Sequence, residues 1–175
     1  MPLSGGTPRR LTDDGNEVFF RARGSKPGTM VLHRIPVAGG ESVQVTEGNS
    51  WGPRSSPDGT RLTYHTYNAD EGHNQIEIME LATGVVEHVI YLRQWEEAAW
   101  SPDGAAIHFS KHVDGQDNVW SNPISAGDDT SGDVQPTDFD DHIDIHAMIW
   151  SGDGRTLAPS RGKTSRDIVL LKGFR

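Results

Sequence analysis

The sequence predicts an all-β protein, a β-propeller of four-stranded antiparallel blades in about four repeats, and three observations predict it. The turn Ser56-Pro57-Asp58-Gly59 returns as Ser101-Pro102-Asp103-Gly104 and, with one residue changed, as Ser151-Gly152-Asp153-Gly154. A tryptophan stands a few residues before each copy, at Trp51, Trp100 and Trp150. The Asp-Gly anchors, which begin with a degenerate copy at Asp14, then Asp58, Asp103 and Asp153, lie 44, 45 and 50 residues apart, a period expected of propeller blades. The repeats run through residues 1–175 as one domain.

Each element of the repeat has its own signal. Pro57 and Pro102 preset φ at the second turn position, Asp suits the third, and Gly59 and Gly104 close the turn in the left-handed conformation. After the glycines come Val18, Leu62, Ile107 and Leu157, then, two residues on, Phe20, Tyr64, Phe109 and Pro159. In the first three copies this period of two marks a strand with an apolar face, antiparallel to the strand that carries the tryptophan.

A third strand is expected at Met30 to Val37, Gln75 to Leu81, Asn118 to Ile124 and Asp167 to Leu171, and an outer fourth strand at Val43 to Thr46, Val85 to Val89 and Val134 to Thr137. A similar outer piece stands at Arg9 to Thr12, with only two residues before Asp14, so the first blade is expected to lack its inner strand. The ring is then closed in one of two ways: the N-terminal strand joins the last blade, or copies of the chain associate.

Composition narrows the function classes. With 16 Lys and Arg against 25 Asp and Glu, the formal net charge is −9, which argues against nucleic acid and anionic membranes as partners. No apolar run approaches the length of a membrane span, and no secretory signal is read at the N-terminus. The chain has no cysteine, which rules out disulfides, thiolate metal sites and a Cys nucleophile and leaves the compartment open.

The residues from Trp100 to Gly104 resemble the signature of the TolB-type propeller repeat, Trp-Ser-Pro-Asp-Gly followed by an alternating strand, a Gly-Gly turn and a Leu-Thr outer strand. Trp150 to Gly154 carries it with Gly152 in place of proline, and Trp51 to Gly59 with four inserted residues. The resemblance covers nearly the whole chain. Family propellers have six or more blades, so this chain reads as a short or fragmentary form. What the resemblance implies is binding of proteins or peptides on a rigid ring, a bacterial and periplasmic setting, and no reaction.

Several clusters invite a chemical reading. His142, Asp144 and His146 would share one face of a strand and point into the channel, where two imidazoles and a carboxylate suit a divalent ion; the competing reading is a solvated acidic loop and strand start. Asp13-Asp14-Gly15-Asn16 and Asp114-Gly115-Gln116-Asp117 lack the spacing of a calcium loop and read as turns. His65, His108 and His112 do not align between repeats and read as surface histidines. Trp51, Trp100 and Trp150 recur in step with the turn, as packing between blades demands, while Trp95 and Trp120 are the candidates for an aromatic at a binding face. No nucleophile elbow is present.

The reading that follows is a non-catalytic scaffold for protein–protein interaction or self-assembly, with no cofactor. The rival is a metal-dependent, lyase-like enzyme with a channel site near His142, Asp144 and His146.

Overall fold

The computed structural model describes residues 7–11, 15–92, 97–126 and 132–163. Their regular structure is β, apart from one 3₁₀ turn at Ile124–Ala126. The first sheet has the order β1(Thr7–Leu11), β2(Glu17–Arg23), β3(Met30–Pro36), β4(Val43–Gln44). The second repeats it with β5(Ser50–Ser55), β6(Arg61–Asn68), β7(His73–Glu80) and β8(Val86–Leu92). In the third, β9(Ala98–Trp100), β10(Ala106–Val113) and β11(Gln116–Pro123) form the ladder, and a single antiparallel bridge from Ser121 to Val134 stands where a fourth strand belongs. The fourth shows β12(Asp144–Trp150) against β13(Leu157–Gly162).

Neighbouring sheets stack face to face. Phe19 and Leu32 of the first meet Leu62, Tyr64 and Met79 of the second. The other face of the second sheet, Ile76 and Ile78, joins Ile90 and Leu92 in packing on Ala98, Trp100, Ile107 and Phe109 of the third. Val119, on the far side of the third, packs with Ile145 and Met148 of the fourth. Residues opposite one another in a ladder share a face, so Leu62 with Met79 points to one neighbour and Thr63 with Ile78 to the other. A middle sheet is therefore buried on both sides. Each fully buried Ile or Phe contributes about 1.5–3 kcal/mol, which is how short strands hold without disulfides.

Two expectations are corrected. Thr7–Leu11 is not an outer strand set apart from the first blade: it pairs antiparallel with β2, Thr7 opposite Arg21 and Leu11 opposite Val18. The two residues before Asp14 are enough because the strand itself occupies the inner position, so the first sheet keeps four strands. Trp51 is not the counterpart of Trp100 and Trp150. Those two stand opposite Ile107 and Leu157, whereas Ser55 stands opposite Leu62 and Trp51 opposite His65. The ladder shifts between Trp51 and Arg54, where Gly52 takes φ 62°, so the four inserted residues extend the strand past the tryptophan. Pro159 lies opposite Met148 in β13. The expected strand Asp167 to Leu171 falls outside the described residues.

Candidate functional site

The repeat turns are built identically. Ser56 Oγ donates to Asp58 Oδ1 at 2.5 Å, and the same carboxylate oxygen accepts from Thr60 N at 3.0 Å. Ser101 to Asp103 and Ser151 to Asp153 repeat the hydroxyl bond at 2.5 and 2.6 Å, with Ala105 N and Arg155 N as the backbone donors. Each serine oxygen also accepts an N–H five residues on, from Arg61, Ala106 and Thr156. Gly59, Gly104 and Gly154 sit at φ 71°, 69° and 68°, a region that costs other L-residues about 1–2 kcal/mol. The serine hydroxyl and the backbone amide hold the Asp58 carboxyl down at about 2 from its ordinary 3.8. The same donors lower Asp103 and Asp153. These aspartates are structural, fixing where β5, β9 and β12 end.

At that end the inner strands of three blades frame an open groove of about 690 Å³, with Arg54 and Pro57 from the second, Trp100 and Pro102 from the third, and Ile149 and Trp150 from the fourth among its walls. Trp100 is buried, and its Nε1 donates to the Arg54 carbonyl at 3.1 Å. The Arg61 guanidinium lies 5.3 Å from its ring centre. Trp100 thus fills the seam between blades, as the repeat predicted. Trp150 is half-buried with its ring edge-on to His108 at 5.3 Å, and Ile149 is 71% exposed. The groove offers aromatic and proline surface held on rigid strands.

The structure does not gather His142, Asp144 and His146 into a ligand set. His142 lies before β12 with φ 54°, its Nδ1 3.0 Å from the Gly115 carbonyl. His146 falls in the register shift between Ile145 and Ala147, and its Nε2 is 3.1 Å from the Gly162 carbonyl. The bulge breaks the parity that would have put all three on one face. Among the described residues, no group of three or more His, Cys, Asp or Glu side chains is arranged to hold a metal ion. Asp141 instead pairs with Arg161.

The other candidates find structural places. His65 is not an ordinary surface histidine: it stacks on Trp51 with ring centres 6.0 Å apart, and burial, with the Arg54 charge, pulls it down to about 4. Burial also lowers His108, despite the Asp103 charge. His112 stays exposed, with Nδ1 2.7 Å from Asp117 Oδ1, and Asp117 Oδ2 accepts from Ile145 N at 2.8 Å. Asp114-Gly115, with φ 51° and 83°, is the two-residue hairpin loop between β10 and β11, where paired positive φ values match the strand twist. Trp120 packs against the core between the second and third sheets, with Lys111 Nζ 4.5 Å from its ring centre. Trp95 and Asp13-Asp14 lie outside the described residues. Reading the sequence missed His88 and Asn122, buried at 2% and 1% exposure, whose side chains meet at 2.9 Å. Strand parity places Asn122 beside the inter-blade face, and only the fold puts His88 opposite it.

Comparison with known proteins agrees with this architecture. No protein-family model matches the chain. An uncharacterised protein of Agrobacterium fabrum is 27% identical over 136 residues, covering 64% of this chain and 46% of that protein. The chain thus spans under half the length of the curated relative it matches. TolB from Acinetobacter baumannii superposes with TM-score 0.69 at 18% identity, over 92% of this chain and 39% of TolB. A putative TolB from Agrobacterium tumefaciens gives 0.55 at 18% identity, over 85% of this chain and 62% of that one. An acylaminoacyl peptidase of Pyrococcus horikoshii gives 0.61 at 12% identity, over 81% of this chain and 26% of the peptidase. At such identities likeness speaks for fold alone: the chain is all-β, built of antiparallel sheets in a TolB-like propeller arrangement.

Proposed function

We propose that this chain is a non-catalytic propeller scaffold that holds a protein or peptide partner across the groove at the turn end of its inner strands. The observation that supports this reading is the groove itself: three successive blades contribute Pro57, Trp100, Pro102, Ile149 and Trp150 to one open surface, and Ile149 is left largely exposed at its edge. Aromatic and apolar groups on rigid supports give contact area at little entropic cost. The likeness to TolB proteins supports a bacterial, periplasmic setting for this scaffold. Self-association of copies to complete a larger ring belongs to the same proposal, and concentration-dependent solution mass tests it.

A photo-crosslinking residue placed at Ile149, with Val37 as an exposed control away from the groove, tests the partner reading. The expected result is a protein captured from Ile149 and not from Val37, and lost on Trp150→Ala in a folded variant. Equal capture at both positions would remove the groove from the account.

A further inference from the structure

At the opposite end of β5 lies a second pocket, between the first and second blades, of about 590 Å³. Arg21, Met30, Trp51, Tyr67 and the amides of Asn49 and Asn74 line it. We propose that it binds an organic carboxylate carrying a flat apolar group, with Arg21 as the anion ligand and the two aromatic rings as its apolar wall.

The argument starts from Arg21. It sits on β2 opposite Leu32, on the face turned toward the second blade, and is half-buried. Its Nε is shut off from solvent with no hydrogen-bond partner, and no ion pair ties it to any described residue. Three arginines elsewhere meet carboxylates: Arg34 meets Glu17 at 3.4 Å, Arg54 meets Glu97 at 3.6 Å, and Arg161 pairs with Asp141. In a chain of net charge −9, this half-buried guanidinium faces a cavity whose lining residues include no Asp or Glu. A buried donor without an acceptor is costly, and a guanidinium presents paired N–H groups that match a carboxylate.

The rest of the pocket fits the organic part. Trp51 is held in place by its stack on His65, with ring planes 10° apart, and Tyr67 is 51% exposed opposite Asn74. Asn49 Oδ1 accepts from Met30 N at 2.8 Å, which fixes the loop and leaves its amide N–H groups as donors. Gly52, at φ 62°, adds no side chain to the wall, and a Cβ there would lie 3.0 Å from the His65 ring. A few polar groups converging in a mostly apolar hollow is the usual make-up of a small-ligand site. The carboxylate could belong to a free aromatic acid or to a glutamate within a peptide.

The test follows the Arg21 Nε–Hε and Trp indole signals by heteronuclear NMR during titration with three probes. These are N-acetyl-phenylalanine, its amide, and an end-blocked Phe-Glu-Phe peptide. Saturable shifts with the free acid and not the amide are expected, and a response to the blocked peptide distinguishes a peptide source from a free acid. Arg21→Gln should abolish the response, while Arg21→Lys, which keeps the charge, and Tyr67→Ala, at an exposed position, should weaken it at least fivefold and keep the protein folded. Equal shifts with acid and amide, no saturable shift with either carboxylate, or undiminished binding by the folded Arg21→Lys and Tyr67→Ala variants would overturn the proposal.

Discussion

Trp100 ties two blades together: its indole Nε1 donates a hydrogen bond to the Arg54 carbonyl at 3.1 Å, while its ring is buried in the core that those blades share. Trp100→Ala removes a bond and a large volume at once. The expected loss of unfolding free energy is about 3–5 kcal/mol, read by chemical denaturation. A loss below about 1 kcal/mol would mean that the ring is not packed between blades.

Gly59 and Gly154 occupy the same turn position with different surroundings. A Cβ on Gly59 would meet nothing within 4 Å, whereas one on Gly154 would lie 2.9 Å from Pro102 Cβ in the preceding blade's turn. Both alanine variants bear the left-handed cost of about 1–2 kcal/mol, and Gly154→Ala adds about 1–3 kcal/mol of overpacking. Thermal or denaturant unfolding should rank Gly154→Ala as the more damaging. Equal losses would contradict contact between the two turns.

Asp58 makes stability depend on pH in the acid range. Its carboxyl is lowered from 3.8 to about 2 by the Ser56 hydroxyl and the Thr60 amide, so the ionised turn contributes fully above 3.8 and that contribution disappears as pH falls through about 2. Asp58→Asn should flatten this part of the pH–stability curve. An unchanged acid limb in the variant would show that the carboxylate does not hold the turn.

His65 acts on a neighbouring window. Burial lowers it from 6.5 to about 4, so between these values the unfolded chain binds the extra proton and stability falls as pH drops, levelling below about 4. His65→Phe keeps a ring against Trp51 and removes the titration. Its stability should vary less between pH 6.5 and 4 than that of the parent; identical slopes would contradict the burial of His65.

Asn122 bridges blades through the fully enclosed His88 ring at 2.9 Å and also donates to Asp133 at 2.9 Å. Asn122→Ala removes both bonds, and about 1–3 kcal/mol should be lost. A neutral outcome in denaturant unfolding would remove this bond from the inter-blade contacts.

Much of the architecture is readable in the residues because the repeat turn is local chemistry. Ser, Asp and Gly at fixed offsets specify the turn, and the alternation after Gly59 and Gly104 specifies the strand that follows. The errors arise where partners are distant in sequence. Whether Thr7–Leu11 is an inner or an outer strand depends on which edge it joins, and its five residues look alike in either role. Trp51 shares its spacing with the repeat only until Gly52 shifts the register. His65 and His108 stand at polar positions of alternating strands, which suggests solvent. In a stacked sheet those positions are covered, His108 by Trp150 of the next blade and His65 by Trp51 of its own. His142, Asp144 and His146 keep the right spacing on paper, and a bulge that the sequence does not announce separates them. The Arg21 pocket draws its walls from several strands and could not be assembled from spacing at all.

The most direct test of the stacked-blade architecture is a methyl and aromatic NOE measurement on selectively labelled protein. The account predicts cross-peaks from Leu62 to Phe19 and from Ile78 to Phe109, placing one sheet between two others. NOEs confined to contacts within each sheet, with none joining these pairs, would contradict it.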